Sequence, residues 1–363
     1  MAEIAFEYIT KSYEPSRYAL AGLNLGIEHG ELISLIGPSG CGKTTALRIL
    51  AGLESHDGGH IRVDGAVVDD IPTHARGFGM VTAEAALMRK RSAAANMRFP
   101  LEVRRRPARE IRDRVELEAE SLRIGHLLKR RTQQLSAGEA QAVQVARALV
   151  TRPRAFLLDE PLARIDSTLR SRLRDDLIRL QRRYDVTTLL ATADQADAMA
   201  MSHRIAMLVD GRLHQLGTPT ELYNHPVNSA VARFIGEPGM NVLTIAVRAR
   251  GDERWYDFGG HEIPAYPEVT RRYAGRSLLV GIRPEHVGIE SVGAPRTLPA
   301  TVARAESTGG HAIIGADAGP HHVSVLVTGA GPRIGDRIGL RLDPAAFHLF
   351  DDLTEAAVHH PGG

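Results

Sequence analysis

Gly37-Pro-Ser-Gly-Cys-Gly-Lys-Thr-Thr45 lies between an apolar run, Glu31-Leu-Ile-Ser-Leu-Ile36, and a helical pattern, Thr45-Ala-Leu-Arg-Ile-Leu50. It matches G-x-x-x-x-G-K-[S/T] in the setting that gives this pattern meaning, with a strand before it and a helix after it. Gly37, Gly40 and Gly42 let the backbone curl so that successive N–H groups point inward, and the helix start adds its partial positive charge. The result is an anion cradle, with Ser39, Cys41 and Thr45 completing its wall. Lys43 extends toward the β- and γ-phosphates of a nucleoside triphosphate. The Thr44 hydroxyl suits Mg²⁺, which keeps its other octahedral positions for phosphate oxygens and water. The plainer alternative, a glycine-rich turn with a chance lysine, would need neither flanking element. Cys41 itself reads as a small residue tolerated in the loop, with a redox role as the alternative.

Working outward, Arg154-Ala-Phe-Leu-Leu-Asp-Glu160 is an apolar strand that ends in two acids. Burial of such a strand puts both carboxylates at its mouth, where ligands bind in open α/β sheets. Asp159 suits the Mg²⁺ shell, and Glu160 suits a general base for an attacking water. Without a phosphate loop upstream, the same pair would read as a helix cap and a first-turn acid. Thr187-Thr-Leu-Leu-Ala191 is a further strand, so residues up to about 236 alternate strands and helices as an α/β layer does. A helical insert stands within it at about 88–150, densest from Pro107 to Leu128. Its basic run, Arg104-Arg-Arg106 with Arg109 and Arg112, reads as a solvated helix face, with a partner contact as the alternative. From 237 onward short strands are broken by glycine and proline, as in Ser277-Leu-Leu-Val-Gly-Ile282 and His322-Val-Ser-Val-Leu-Val327, which predicts a small β-barrel.

The 363 residues exceed one ordinary core. Apolar residues make up 43% and charged residues 24%, a globular balance that excludes a disordered chain. Lys and Arg total 45 against 43 Asp and Glu, which gives no electrostatic reason to expect nucleic acid as a partner. Cys41 is the single cysteine, so no internal disulfide forms, as expected of a reducing compartment. Met1-Ala-Glu-Ile-Ala-Phe-Glu-Tyr8 reads as an alternating strand and not as a signal peptide. No run of about 18 uncharged apolar residues occurs, so membrane attachment would need a partner.

Between the two acidic and glycine-rich sites lies Gln134-Leu-Ser-Ala-Gly-Glu139, followed by a helix through Arg147. This combination resembles the LSGGQ signature of ABC ATPases. The resemblance implies that Ser136 and the Gly138 N–H of one subunit cover the ATP held by the phosphate loop of another, two nucleotides being sandwiched per dimer. Tyr13 is similar to the aromatic residue that stacks on adenine in that family, although alone it would more often be a core aromatic. Asp166 resembles the aspartate of the segment that crosses the dimer. Gly281-Ile-Arg-Pro-Glu-His-Val287 and His348-Leu-Phe-Asp351 resemble the regulatory OB-like barrel of carbohydrate importers. Gly217-Thr-Pro-Thr-Glu-Leu-Tyr223, Phe234-Ile-Gly236 and Met240-Asn241 resemble that branch's connector. The implied architecture is a P-loop ABC-type nucleotide-binding domain over 1–236 with a helical insert, then a regulatory barrel over 237–363. The implied partners are two membrane-spanning permease subunits, a second ATP-binding subunit in a homodimer or heterodimer, and indirectly a solute-binding protein, at the cytoplasmic face of the membrane.

The chain also departs from the family. The glutamine that touches Mg²⁺ and the permease falls on Ala83, and the histidine set against the γ-phosphate falls on Ala193. The signature carries Ala137 and Glu139, and the segment after Pro161 ends Ala-Arg-Ile-Asp166. Met88-Arg-Lys-Arg-Ser-Ala-Ala-Ala95 lacks the aromatic and proline residues expected at the permease socket. His203 lies ten residues beyond Ala193, in the next strand region, and does not replace the imidazole, while Glu84, next to Ala83, could reach Mg²⁺ only as a charged group that is no isostere of an amide. The phosphate loop, Asp159 and Glu160 are intact, so ATP·Mg binding with slow hydrolysis is the expectation. A catalytically degenerate regulatory subunit paired with an active ATPase is the alternative, and an ABC protein acting outside transport is disfavoured by the barrel.

Overall fold

The computed structural model describes residues 2–15, 17–265 and 270–361. The chain divides into two compact units, residues 1–219 and 220–363. In the first, β1 (Ile4–Glu14), β2 (Arg17–Ile27) and β3 (Leu32–Ile36) precede α1 (Lys43–Ala51), β4 (Gly58–Val63), β5 (Ala66–Val67) and β6 (Phe78–Val81). Three helices follow, α2 (Ala93–Val103), α3 (Ala108–Ser121) and α4 (Ala137–Leu149). The chain then runs through β7 (Ala155–Asp159), α5 (Ser167–Tyr184), β8 (Thr187–Ala191), α6 (Gln195–Met201), β9 (Arg204–Val209) and β10 (Arg212–Gly217).

A six-stranded sheet, in the order β10-β9-β3-β8-β7-β6, is parallel except at its β10 edge. Its central strands β3, β7 and β8 are buried on both faces, and the period of two divides their side chains between two cores. Along β7, Ala155 and Leu157 enter the core shared with α1 and the β1–β2 ribbon. Phe156 and Leu158 enter the core shared with the helical layer. Leu189 and Leu190 of β8 divide in the same way. That is why continuous apolar runs form strands here. A second, antiparallel sheet, β2-β1-β4-β5, lies over α1.

Thr187–Ala191 is a strand as read, and β3 and β7 each begin one residue inside the expected runs. The first helix begins at Lys43 and not at Thr45, because its first turn belongs to the loop and shows no apolar period. The pattern from Pro107 to Leu128 is interrupted: α3 ends at Ser121, Arg123 takes a left-handed φ of 56°, and a short 3-10 turn follows at Gly125–Leu127. Arg104, Arg105, Arg106, Arg109 and Arg112 are exposed, as a solvated face requires.

The second unit contains α7 (Pro219–Asn224), α8 (Ser229–Phe234), β11 (Asn241–Arg250), β12 (Glu253–Asp257), β13 (Glu262–Pro264) and β14 (Ser277–Ile282). It continues with β15 (Val287–Glu290), β16 (Thr297–Ser307), β17 (His311–Ala318), β18 (His321–Thr328), β19 (Arg337–Leu342), β20 (His348–Phe350) and β21 (Ala357–His359). Two antiparallel sheets, β13-β12-β11-β14-β20-β21 and β15-β19-β16-β17-β18, share one apolar core that includes Val280, Ile282, Ile314, Val325 and Leu340. The residues of α7 and α8 from 220 onward, which precede the expected seam at 236/237, pack within this unit. Buried Arg283 donates to Ile235 O and Tyr223 O and lies 3.8 Å from the Tyr223 ring centroid. No helix among the described residues is long and apolar enough to cross a membrane.

The end of α1 is closed by a buried cation. Arg76, 6% exposed, donates to Ile49 O at 2.9 Å and Leu50 O at 2.8 Å, and also to Ile71 O and Asp69 O. A positive charge there meets the negative end of the helix dipole and satisfies carbonyls that have no partner inside the helix. Gly52 ends the helix at φ 72°, and a Cβ on it would stand 2.6 Å from Arg76 Nε. Arg76→Met removes these charge-assisted hydrogen bonds, Ile49 O keeping only its bond from Gly52 N, so unfolding of the first unit in urea is expected to lose about 2–4 kcal/mol. A loss below about 0.5 kcal/mol would show that the cap carries little of the helix's stability.

Candidate nucleotide-binding site

The loop from Gly37 to Gly42 joins the end of β3 to α1. Gly37 has φ 142°, Gly40 81° and Gly42 104°, all in a region that side chains rarely adopt. Space is as restrictive as torsion: a Cβ on Gly37 would stand 2.0 Å from Leu208 O, and one on Gly42 would stand 2.2 Å from Ala19 O. The loop is therefore pressed between β9 and β2. Gly42 is the N-cap of α1 and supplies no side-chain cap, so the first-turn N–H groups stay available to a ligand.

Lys43 is buried, and its ammonium donates to Gly37 O at 2.7 Å and Pro38 O at 3.2 Å, so it lies across the loop it serves. Thr44 Oγ1 donates to Asp159 Oδ1 at 2.8 Å, which brings together a hydroxyl and a carboxylate from residues 115 positions apart. This donor set fits Mg²⁺, because that ion takes few protein oxygens and relies on phosphate and water for the rest. Among the described residues no cluster of three or more His, Cys, Asp or Glu residues forms a self-sufficient metal cage.

Burial pushes the Asp159 carboxyl above the usual carboxylate range, opposed by the Thr44 hydroxyl and the charges of Arg48 and Lys43. Glu160 is pushed up as well, first by burial, against the Ala193 backbone N–H, Lys43 and the Thr192 hydroxyl; the charge of Asp159 adds to the rise. Glu160 takes a left-handed φ of 48°, and its N–H donates to Ala191 O at 2.8 Å, which fixes it at the mouth of β7 and β8.

A cavity of about 480 Å³ collects Tyr13, Ser39, Gly40, Gly42, Lys43, Thr44, Thr45, Glu160 and Ala193. Tyr13 is 59% exposed, and its hydroxyl lies 3.5 Å from Thr45 Oγ1, so it is not a core aromatic. Lys11 Nζ stands 5.4 Å from its ring centroid. Gly37 and Cys41 support the loop from behind, with the Cys41 Sγ 2.8 Å from where a Gly37 Cβ would be. Glu14, Arg17, Tyr18 and Ala19 also line the cavity and were missed in the sequence. The pairing Glu14↔Arg17 and Ser12↔Tyr18 carries them there, and no motif marks it.

Ser136, Gly138 and Asp166 lie outside this cavity, at two other helix starts. Ser136 caps α4 in a reciprocal pair, with Glu139 N donating to Ser136 Oγ at 3.2 Å and Ser136 N donating to Glu139 Oε2 at 2.8 Å. Glu139 is thereby explained as a capping acid. Asp166 caps α5, accepting from Leu169 N at 3.0 Å. A Cβ on Gly138 would stand 2.1 Å from Leu169 Cδ2, so the two helix starts are in close contact. Ala193 offers the cavity only a methyl group. His203 does not replace an imidazole there, since its Nδ1 accepts from Leu32 N at 2.9 Å. Glu84 faces Arg164 at 3.6 Å, which pairs two of the departing segments with each other.

Residues 20–163 match the ABC transporter family, 236–287 the MalK OB fold domain and 280–350 the TOBE domain. The uncharacterized ABC transporter ATP-binding protein YurJ of Bacillus subtilis (strain 168) is 36% identical over 99% of this chain and 100% of its own length. The sulfoquinovosyl glycerol transport ATP-binding protein SmoE of Agrobacterium fabrum shows the same identity and coverage. The sn-glycerol-3-phosphate import ATP-binding protein UgpC of Bordetella pertussis is 37% identical over 90% of this chain and 88% of its own. Among solved structures, a dimeric post-hydrolysis state of the ATP-binding cassette MJ0796 with ADP and Pi has a TM-score of 0.55 and 28% identity, covering 60% of this chain and 98% of that one.

The raised carboxyls make a signed prediction about stability. A group whose folded pKa exceeds its unfolded value destabilises the fold when ionised, so its cost is present above the folded pKa and absent below the unfolded one. Asp159→Asn and Glu160→Gln are therefore expected to raise the melting temperature at neutral pH in the absence of nucleotide. The gain should vanish once the pH falls below the ordinary carboxylate range. Equal or lower melting temperatures at pH 7 would contradict the burial argument.

Proposed function

The chain belongs to the ATP-binding subunits of ABC transporters, in the branch that carries MalK OB fold and TOBE domains, and from that premise we propose that it powers uptake of a carbohydrate or related polar solute by slow ATP hydrolysis. The observation that carries the reading is the Thr44–Asp159 hydrogen bond, which joins the phosphate loop to the acidic strand end beside Glu160. Relatives named for sulfoquinovosyl glycerol transport, sn-glycerol-3-phosphate import and osmoprotective compounds uptake support the solute class.

In this reading ATP stacks on Tyr13, its phosphates lie in the loop 37–45 and are met by Lys43, and Mg²⁺ is held by Thr44 and Asp159. Glu160 is the base for the attacking water, suited to that role by its raised pKa. Ser136, Gly138 and Asp166 take the nucleotide of a second ATP-binding subunit, since they lie outside their own subunit's cavity. Closure of the dimer is the motor step, because ATP contacts both halves only when they meet. Residues 1–236 are the motor domain and 237–363 the regulatory one. Two permease subunits hold the pair at the cytoplasmic face of the membrane, and a solute-binding protein delivers the cargo.

Ala83 and Ala193 are the basis for slow turnover. Each removes a polar group that acts on the γ-phosphate, the water or the metal, whereas the ground-state cradle is complete. Loss of one positioned donor costs roughly 10² to 10³ in rate, and losses within one unit do not add. The same two alanines support a second reading, a regulatory subunit that pairs with an active ATPase. Turnover of MgATP by the purified chain is expected to be far below that of an ordinary transporter ATPase, and Ala193→His is expected to raise it by about 10². Rapid turnover by the unaltered chain would remove the slow-hydrolysis reading. No recovery in Ala193→His, with ATP still bound, would favour the regulatory one. Lys43→Ala is expected to abolish ATP uptake in calorimetry, and undiminished uptake would overturn the nucleotide site itself.

A further inference from the structure

Arg17 opens β2 directly opposite Glu14, the last residue of β1, and lines the cavity that also contains Lys43, Thr44 and Glu160. Its side chain reaches over the phosphate loop, with Nη2 3.8 Å from the point a Cβ on Gly40 would occupy. Gly40 is exposed, so nothing built on that residue separates the guanidinium from the cradle. Other arginines of this unit have counter-charges: Arg48 pairs with Glu54 at 3.2 Å, and Arg164 with Glu84 at 3.6 Å. Arg17 makes no ion pair among the described residues, although Glu14 is its cross-strand neighbour. A planar cation with five donors, without an ion-pair partner among the described residues and beside the phosphate loop, is matched to phosphate oxygens. Tyr13 lines the same cavity, with its hydroxyl 3.5 Å from Thr45 Oγ1.

We propose that Arg17 is a second cation for the triphosphate, its guanidinium engaging phosphate oxygens from the Gly40 side of the loop while Lys43 serves them from within. The proposal rests on the nucleotide reading above. It assigns Arg17 to ground-state binding, because no other described residue fixes the guanidinium in a transition-state pose, and an interaction equal in ground and transition states lowers KM and leaves kcat unchanged. Arg17 thus strengthens ATP capture in a chain that has lost the imidazole at position 193.

The test is calorimetry and steady-state turnover of the full chain with MgATP and MgGTP, for the unaltered protein and for Arg17→Gln, Arg17→Lys and Lys43→Ala. Arg17 is exposed, so the folded state should tolerate both replacements. Arg17→Gln is expected to weaken MgATP binding about five- to tenfold with kcat unchanged, and to make binding less sensitive to salt. Arg17→Lys should recover part of the affinity, as a point charge does at a bidentate site. The preference for ATP over GTP should stay the same. Binding within twofold of the unaltered protein in Arg17→Gln would overturn the proposal, and so would a changed ATP-to-GTP preference, which would place Arg17 on the base. If Lys43→Ala abolishes uptake while Arg17→Gln does nothing, the nucleotide site stands and only Arg17's role falls. If Lys43→Ala binds as tightly as the unaltered chain, the underlying reading falls with it.

Discussion

The backbone of Gly37 and Gly42, forced against the carbonyls of Leu208 and Ala19, is the constraint from which the rest follows. Two strands from different sheets grip the loop, so its curl is imposed by the fold around it and not by its own sequence alone. A methyl group at either glycine would collide with main-chain oxygen, which cannot swing aside as a side chain can. Because the curl is fixed, the first turn of α1 starts at Lys43, and Thr44 comes within 2.8 Å of Asp159. Without that contact Asp159 would lose the hydroxyl that opposes its burial and keep only the charges of Arg48 and Lys43.

That burial sets what the site asks of a ligand. Asp159 and Glu160 are held in a half-dry site that disfavours their ionised forms, and a metal with its phosphate oxygens is the natural compensation. The cradle beside them is built largely from main chain, with the Lys43 ammonium laid across it.

Much of this was legible in the sequence. The phosphate loop announces itself because its glycines, lysine and hydroxyl are contiguous, and the central strands because burial on both faces writes an unbroken apolar run. The helix start at Lys43 was not legible, since its first turn faces a ligand and has no apolar period. The interruption at Arg123 was hidden too, because a left-handed arginine leaves no mark in composition. Arg17 and Tyr18 were missed for a different reason. They reach the cavity through strand pairing, and an irregular register such as that of β1 with β2 is not written in either strand alone. Glu139 looked like damage to a motif, yet it serves as a capping acid at the helix start. The expected families and the α/β-plus-barrel organisation agree with the matches over 20–163, 236–287 and 280–350.

The contact of Gly138 with Leu169 is made by the tip of a side chain, Cδ2, and not by main chain. A leucine tip can turn to another rotamer, so the starts of α4 and α5 are packed together without being locked. A side chain at position 138 would be met first by a repacked Leu169 and Ile165. The spacing of the two helix starts would change only where those side chains found no room.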